Sequence, residues 1–135
     1  MEPVFHLSLS VSDLDKSRAF YCDRLGANPG RITDAWMDVW LFGAQVTLYR
    51  RPDAVTPSPF REAQHFGATV PWAAWLALKR ELDEHGAEFA ALPMLNEEKG
   101  VAKMLLSDPD GYLVEVKAYC DPNAQQRREP APERV

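Results

Sequence analysis

At 135 residues, 46% of them hydrophobic, the chain has the size and composition of one globular domain able to bury a core. Its net charge of -5, with acids and bases interspersed, lacks the clustered Lys and Arg that a nucleic-acid partner demands; Arg50-Arg51 and Arg127-Arg128 are isolated pairs. Two cysteines, Cys22 and Cys120, form neither a disulfide framework nor a Cys-x-x-Cys motif; with no signal-like start and no run of membrane-spanning length, the expected location is the cytoplasm, with no membrane partner.

The first expected strand covers residues 4–11, whose alternation puts His6, Ser8 and Ser10 on one face and Phe5, Leu7 and Leu9 on the other. Asp13 or Asp15 then caps a helix over 15–24, with an apolar stripe and Gly26 as its stop. Residues 27–33 are weak strand material, broken by Pro29-Gly30. Residues 35–42 are stronger, Gly43-Ala44 reads as a tight turn, and 45–50 form the partner strand. The first part therefore reads β-α-β-β-β.

Three prolines within 51–62 exclude a regular interior element there. The order then repeats. A strand spans 64–70. Pro71 leads a helix over 72–85, where Trp72, Trp75, Leu76, Leu78 and Leu82 gather toward one face, and Gly86 ends it. His85, in the last helical turn, is read as structural, because a cation there opposes the negative end of the helix dipole. A weak strand over 87–92 precedes a polar loop at 96–100, which is placed to close a site. Strands 101–107 and 111–118 are joined by Ser107-Asp-Pro-Asp-Gly111, the strongest turn signal in the chain. The expected division is a first module at 1–50, a linker at 51–63, a second module at 64–119 and a flexible tail at 120–135.

Three residues stand out against these strands. His6 and His65 occupy the first strand of each module, and Glu115 lies between two valines in the last strand of the second. A carboxylate in such a strand must be paired, protonated or ligating, because burying it alone is too costly. A salt bridge to Lys103 or Lys117 is one explanation. Convergence with both histidines into a 2-His-1-carboxylate site, with positions left open for substrate or oxygen, is the other. The fourth equivalent strand, 45–50, offers Gln45, Thr47 and Tyr49 on one parity and no acid.

The runs His6-Leu-Ser-Leu-Ser-Val-Ser-Asp13-Leu, Ser17-Arg-Ala-Phe20-Tyr21, Leu25-Gly26 and Ser107-Asp-Pro-Asp-Gly111-Tyr-Leu-Val-Glu115-Val resemble the glyoxalase, bleomycin-resistance protein and extradiol dioxygenase superfamily, also called vicinal oxygen chelate, over residues 4–119. The resemblance implies an α+β fold in which two β-α-β-β-β modules make a curved mixed sheet around a metal or ligand cavity. It implies metal ligation by His6, His65 and Glu115. Members act on small molecules with vicinal oxygens, or bind drugs and metabolites without catalysis. Proteins of this size are often homodimers, and some build each site from both chains. Glyoxalase I, which resembles this chain, takes a second glutamate from the strand matching 45–50, so its lyase reaction is disfavoured here. A three-ligand centre suits Fe(II) with a catecholate and oxygen, while Mn(II), Zn(II) and Ni(II) stay open. Extradiol enzymes usually add an acid–base histidine, and this chain has no fourth histidine. The favoured expectation is an extradiol dioxygenase-like enzyme; the alternatives are a glyoxalase-like lyase or isomerase, and a binding protein. Tyr49, Tyr119 and Lys103 are the candidate catalytic residues. Ser8, Trp40, Gln45, Thr47, Thr69 and Lys117 are the candidate pocket residues.

Overall fold

The structure, a computed structural model, describes residues 1–56 and 64–121. Most of the tail expectation at 120–135 and most of the linker expectation at 51–63 lie outside those residues.

The first module runs β1 (His6–Val11), α1 (Leu14–Arg18), a π-helical turn (Ala19–Arg24), β2 (Asn28–Ile32), β3 (Trp36–Leu41) and β4 (Ala44–Arg50). A 3-10 turn follows at Pro52–Ala54. The second module runs β5 (His65–Thr69), α2 (Trp72–Glu84), β6 (Met94–Asn96), β7 (Val101–Ser107) and β8 (Leu113–Tyr119). Each module forms a four-stranded mixed sheet with the same connectivity, in the orders β1-β4-β3-β2 and β5-β8-β7-β6. β1 pairs parallel with β4, and β5 with β8; the remaining pairs are antiparallel. A parallel pair needs a crossover, and each module's helix lies within it.

Local chemistry explains most boundaries. The Asp13 carboxylate accepts the Lys16 N–H at 3.0 Å and caps α1. The helix then widens: the Leu25 N–H reaches the Phe20 carbonyl, and the Ala27 N–H closes on Tyr21 across Gly26, whose φ is +77°. The β3–β4 turn sits one residue earlier than the sequence suggested. Its centre is Phe42-Gly43, both at positive φ, which is the twist a two-residue hairpin needs. The expected strand over 87–92 is not formed. Only a single bridge joins Phe89 to Leu106, and the edge strand lies at 94–96, after Pro93. Proline cannot donate to a ladder, so pairing resumes beyond it.

The two sheets share one core. Val11, Tyr21, Met37, Val39, Val46 and Leu48 from the first module belong to the same buried cluster as Trp75, Leu82, Met104, Leu106, Val114 and Val116 from the second. Trp75 is fully enclosed and its indole N–H donates to the Val116 carbonyl at 2.9 Å. That contact removes on the order of 200 Å² of aromatic surface from water without orphaning the polar tip. The β7–β8 turn fastens the modules together. Tyr21 Oη donates to Asp108 at 2.7 Å, Tyr112 Oη donates to the Ser10 carbonyl at 2.7 Å, and the Ser12 N–H donates to Asp110. Burial pushes the Tyr21 phenol well above its usual range, and the Asp108 carboxylate beside it adds to the shift. Among the described residues no helix is long and apolar enough to cross a membrane.

Candidate functional site

The strand alternation divides each sheet into an apolar face, packed on the helices, and a polar face. In β4, Val46 and Leu48 are buried in the core, while Gln45, Thr47 and Tyr49 take the opposite parity. The parallel register sets His6 beside Gln45 and Ser8 beside Thr47. The antiparallel register sets Asp38 beside Thr47 and Trp40 beside Gln45. The polar face of the first sheet thus carries a hollow of about 250 Å³ lined by His6, Arg31, Trp36, Asp38, Gln45, Thr47 and Tyr49.

Within it, His6 Nδ1 lies 3.1 Å from the Gln45 carbonyl oxygen. A carbonyl can only accept, so Nδ1 donates this bond and the ring's other nitrogen, Nε2, is the one directed to a ligand. Asp38 is the one deeply buried charge there, at 2% exposure. Thr47 Oγ1 donates to its Oδ1 and Arg31 Nε to its Oδ2, each at 2.8 Å. Burial alone would raise the Asp38 pKa; the Thr47 and Arg31 hydrogen bonds and the guanidinium charge outweigh it, holding the carboxyl below its ordinary value. Sequence reading passed over Arg31 and gave Asp38 no role. The signal was available, since Met37-Asp38-Val39 is the same pattern of an acid between apolar strand neighbours that drew attention to Glu115. Strand 45–50 does lack an acid, yet Asp38 brings one to the same hollow from β3.

The second sheet carries a hollow of about 230 Å³ lined by the strand His65–Thr69 with Glu115 and Lys117. His65 Nε2 stands 3.4 Å from Glu115 Oε2, so the partner of Glu115 is a histidine rather than Lys103 or Lys117. Thr69 pairs with Lys117 in the register, and Lys103 sits directly across from Lys117 on β7. Tyr119 ends the same row of β8, half-buried and paired with Val101. Gly67, which the sequence reading did not single out, pairs with Glu115 and lets the two strands approach.

The predicted residues therefore assemble as two groups. His6, Gln45, Thr47 and Tyr49 line one hollow, with Ser8 and Trp40 on the same sheet. His65, Thr69, Glu115 and Lys117 line the other, with Lys103 and Tyr119 nearby. The hollows share no lining residue. Among the described residues, no three His, Cys, Asp or Glu side chains gather closely enough to hold a metal ion. Parity explains the separation. Phe5, just before β1, and Leu7 of β1 line a third, apolar hollow together with Phe66 and Ala68 of β5. The apolar parities of these two strands face that shared hollow, and their histidines take the opposite parity, each on its own sheet's polar face. His65 and Glu115 have the donor chemistry of half a metal centre, an imidazole and a carboxylate; His6 offers a third donor of matching chemistry from elsewhere. His85 stays at the end of α2, where its Nδ1 meets the Glu81 carbonyl at 2.7 Å.

The family model for the Glyoxalase/Bleomycin resistance protein/Dioxygenase superfamily matches residues 4–116. Among solved structures, a glyoxalase/bleomycin resistance protein/dioxygenase from Alicyclobacillus acidocaldarius is similar over 88% of this chain and 92% of its own, at 26% identity and a TM-score of 0.75. The fosfomycin resistance protein FosX from Listeria monocytogenes is 16% identical, over 87% of this chain and 93% of its own, with a TM-score of 0.70. A lactoylglutathione lyase from Agrobacterium tumefaciens is also 16% identical, over 87% and 94%, with a TM-score of 0.65. At that identity the last two establish a shared fold alone. No curated protein matches the chain.

Proposed function

Because the chain belongs to the glyoxalase/bleomycin resistance protein/dioxygenase superfamily, we propose that it is a metal-dependent enzyme acting on a small molecule with vicinal oxygens, its site completed by a second copy of the chain. The observation that carries this reading is the split donor set. His65 and Glu115 converge at 3.4 Å on one sheet, and His6 presents Nε2 from the polar face of the other. A two-fold dimer uses the same surfaces on both partners. Setting the first sheet of one copy against the second sheet of the other makes two equivalent curved cavities, each with one His6 facing a His65–Glu115 pair.

Two histidines and one carboxylate suit Fe(II) first, with Mn(II), Zn(II) or Ni(II) as alternatives. When bound, the ion supplies Lewis acidity toward vicinal oxygens and, as iron, access to oxygen chemistry. The chain's own residues do the rest. The Gln45 carbonyl fixes the His6 ring. Tyr49 and Tyr119 supply phenols for proton transfer, and Lys103 and Lys117 steady a developing oxyanion. Trp40, 40% exposed, offers a surface on which a planar ring can stack. Oxidative opening of an aromatic diol is the favoured reaction. Asp38 favours a second reading, a lyase or isomerase, because it restores a carboxylate to the first-module hollow.

The test is anaerobic purification with elemental analysis of the wild type and of His6→Ala, His65→Ala and Glu115→Ala. Each variant is expected to lose metal; full occupancy in all three would sink the site. Mixing His6→Ala with Glu115→Ala tests the sharing. Random exchange rebuilds one intact site in each mixed dimer, so about a quarter of the wild-type metal returns; no return places the site within one chain. Oxygen uptake over a panel of catechols then separates the two reactions.

A further inference from the structure

Arg31 is held more firmly than an exposed arginine requires. Its Nε donates to the buried Asp38 carboxylate at 2.8 Å, and its guanidinium carbon lies 5.0 Å over the Trp36 ring. Guanidinium carries five N–H donors in a planar fork. One is spent on Asp38, and among the described residues no other hydrogen bond or ion pair engages the rest. The side chain as a whole remains 73% exposed, on the rim of the hollow that contains His6. The backbone is arranged for this. A Cβ at Gly30 would come within 3.1 Å of Asp38 Cβ and 3.2 Å of Trp40 Nε1, so the residue before Arg31 makes room for Asp38 and Trp40.

A buried carboxylate on a sheet's polar face is costly unless it is paired, and here its pairing aligns one cation. The result is a guanidinium fixed in plane and direction with its Nη edge open, which is the geometry that recognises a carboxylate or a phosphonate by two parallel hydrogen bonds. The second sheet also brings a cation to its hollow, beside Glu115. Lys117 lines it directly opposite Lys103, a like-charged pair that an arriving anion would relieve.

We propose that Arg31 is the anion-recognition residue of this site, binding a carboxylate or phosphonate group of the substrate through its Nη edge, with Asp38 and Trp36 as the residues that position it. The proposal deepens the reading above by naming the substrate as an anion, and it rests on that reading only in calling the ligand a substrate; the receptor itself lies within one chain.

The experiment is calorimetric titration of full-length, metal-stripped protein at low salt with benzoate and with phenylphosphonate, against benzamide as the neutral control. At least one anion is expected to bind ten-fold or more tighter than benzamide, and which one it is separates the two ligand sources. Arg31→Met reduces that affinity to the benzamide level; it melts lower than the wild type because Asp38 loses a partner, so the titration is run well below its melting transition. Arg31→Lys keeps the charge but not the fork and recovers only a small part. Asp38→Asn, which leaves Arg31 present but less aligned, weakens binding several-fold. Equal binding of the anions by Arg31→Met and the wild type would overturn the proposal. So would benzamide binding as tightly as benzoate, or no binding of either anion up to about 10 mM. Because the protein is metal-free, a wrong metal assignment leaves this result intact, and a negative result here leaves the metal assignment intact.

Discussion

Gly67 lies so close against Glu115 that a Cβ on it would sit 1.7 Å from the Glu115 carbonyl oxygen. The glycine is a condition for the β5–β8 pairing that brings His65 and Glu115 together. Gly67→Ala must push backbone against backbone, which has no flexible side chain to yield. A loss of about 1–3 kcal/mol is expected, the usual range for overpacking. Urea denaturation measures it, and elemental analysis should show weaker metal retention than in a variant equally destabilised elsewhere.

Asp38 gives the protein an acid-sensitive component. Its folded pKa is depressed, so its contribution to stability is fully present above the ordinary carboxylate value of about 3.9 and is lost as pH falls through the folded value. Asp108 acts in the opposite sense. Burial raises its pKa despite hydrogen bonds from Tyr21 and from the Tyr112 and Asp110 N–H groups, so its effect favours the fold most at low pH. Asp38→Asn should therefore lose less stability than the wild type between pH 4 and the acid limit. Denaturant midpoints measured across that range check the slope; parallel curves would refute the assignment.

Ser17 is fully buried in α1, and among the described residues its hydroxyl has no hydrogen-bond partner. Removing an unsatisfied buried polar group recovers its desolvation cost, and alanine also favours helix more than serine does. Ser17→Ala should raise stability by about 1 kcal/mol, seen as a higher denaturant midpoint with an unchanged slope.

Lys103 and Lys117 face each other across β7 and β8. Like charges in directly opposite positions destabilise a sheet by roughly 0.2–1 kcal/mol. Lys103→Gln is expected to stabilise the protein by a few tenths of a kcal/mol at low ionic strength. The gain should fade in about 1 M salt, where the Debye length is near 3 Å. A salt-independent gain would assign the effect to packing instead.

The legible parts of this fold were those written in period and punctuation. Alternation gave β1, β3, β4, β7 and β8, because each has one face in the core; the Asp-Pro-Asp-Gly turn and the Asp13 cap were equally plain. The π-helical widening after Arg18 was not legible, since Phe20 and Tyr21 suit either helix. The edge strand was misplaced for a related reason: residues 87–92 are apolar enough, but an edge is decided by which backbone groups find partners, and Pro93 moved them downstream. At the site, parity grouped His6, His65 and Glu115 toward one cavity, whereas they line two separate hollows. It was silent on how the two sheets turn relative to each other, because that depends on contacts across modules, such as Leu7 and Phe66 packing against the one shared core. Asp38 carried a readable signal, an acid between Met37 and Val39, but in β3 rather than in strand 45–50.

The hairpin that carries Glu115 is also the one whose turn is fastened to the first module, through Asp108 on Tyr21, Asp110 on Ser12 and Tyr112 on Ser10. A hinge between the modules would have to strip these bonds and expose a buried carboxylate. The strand that carries Glu115 is thereby anchored at its start to the first module. In the dimer proposed above, traffic to and from the His65–Glu115 hollow would pass along the open side of the sheet, past the neighbouring copy, rather than through an opening of the chain itself.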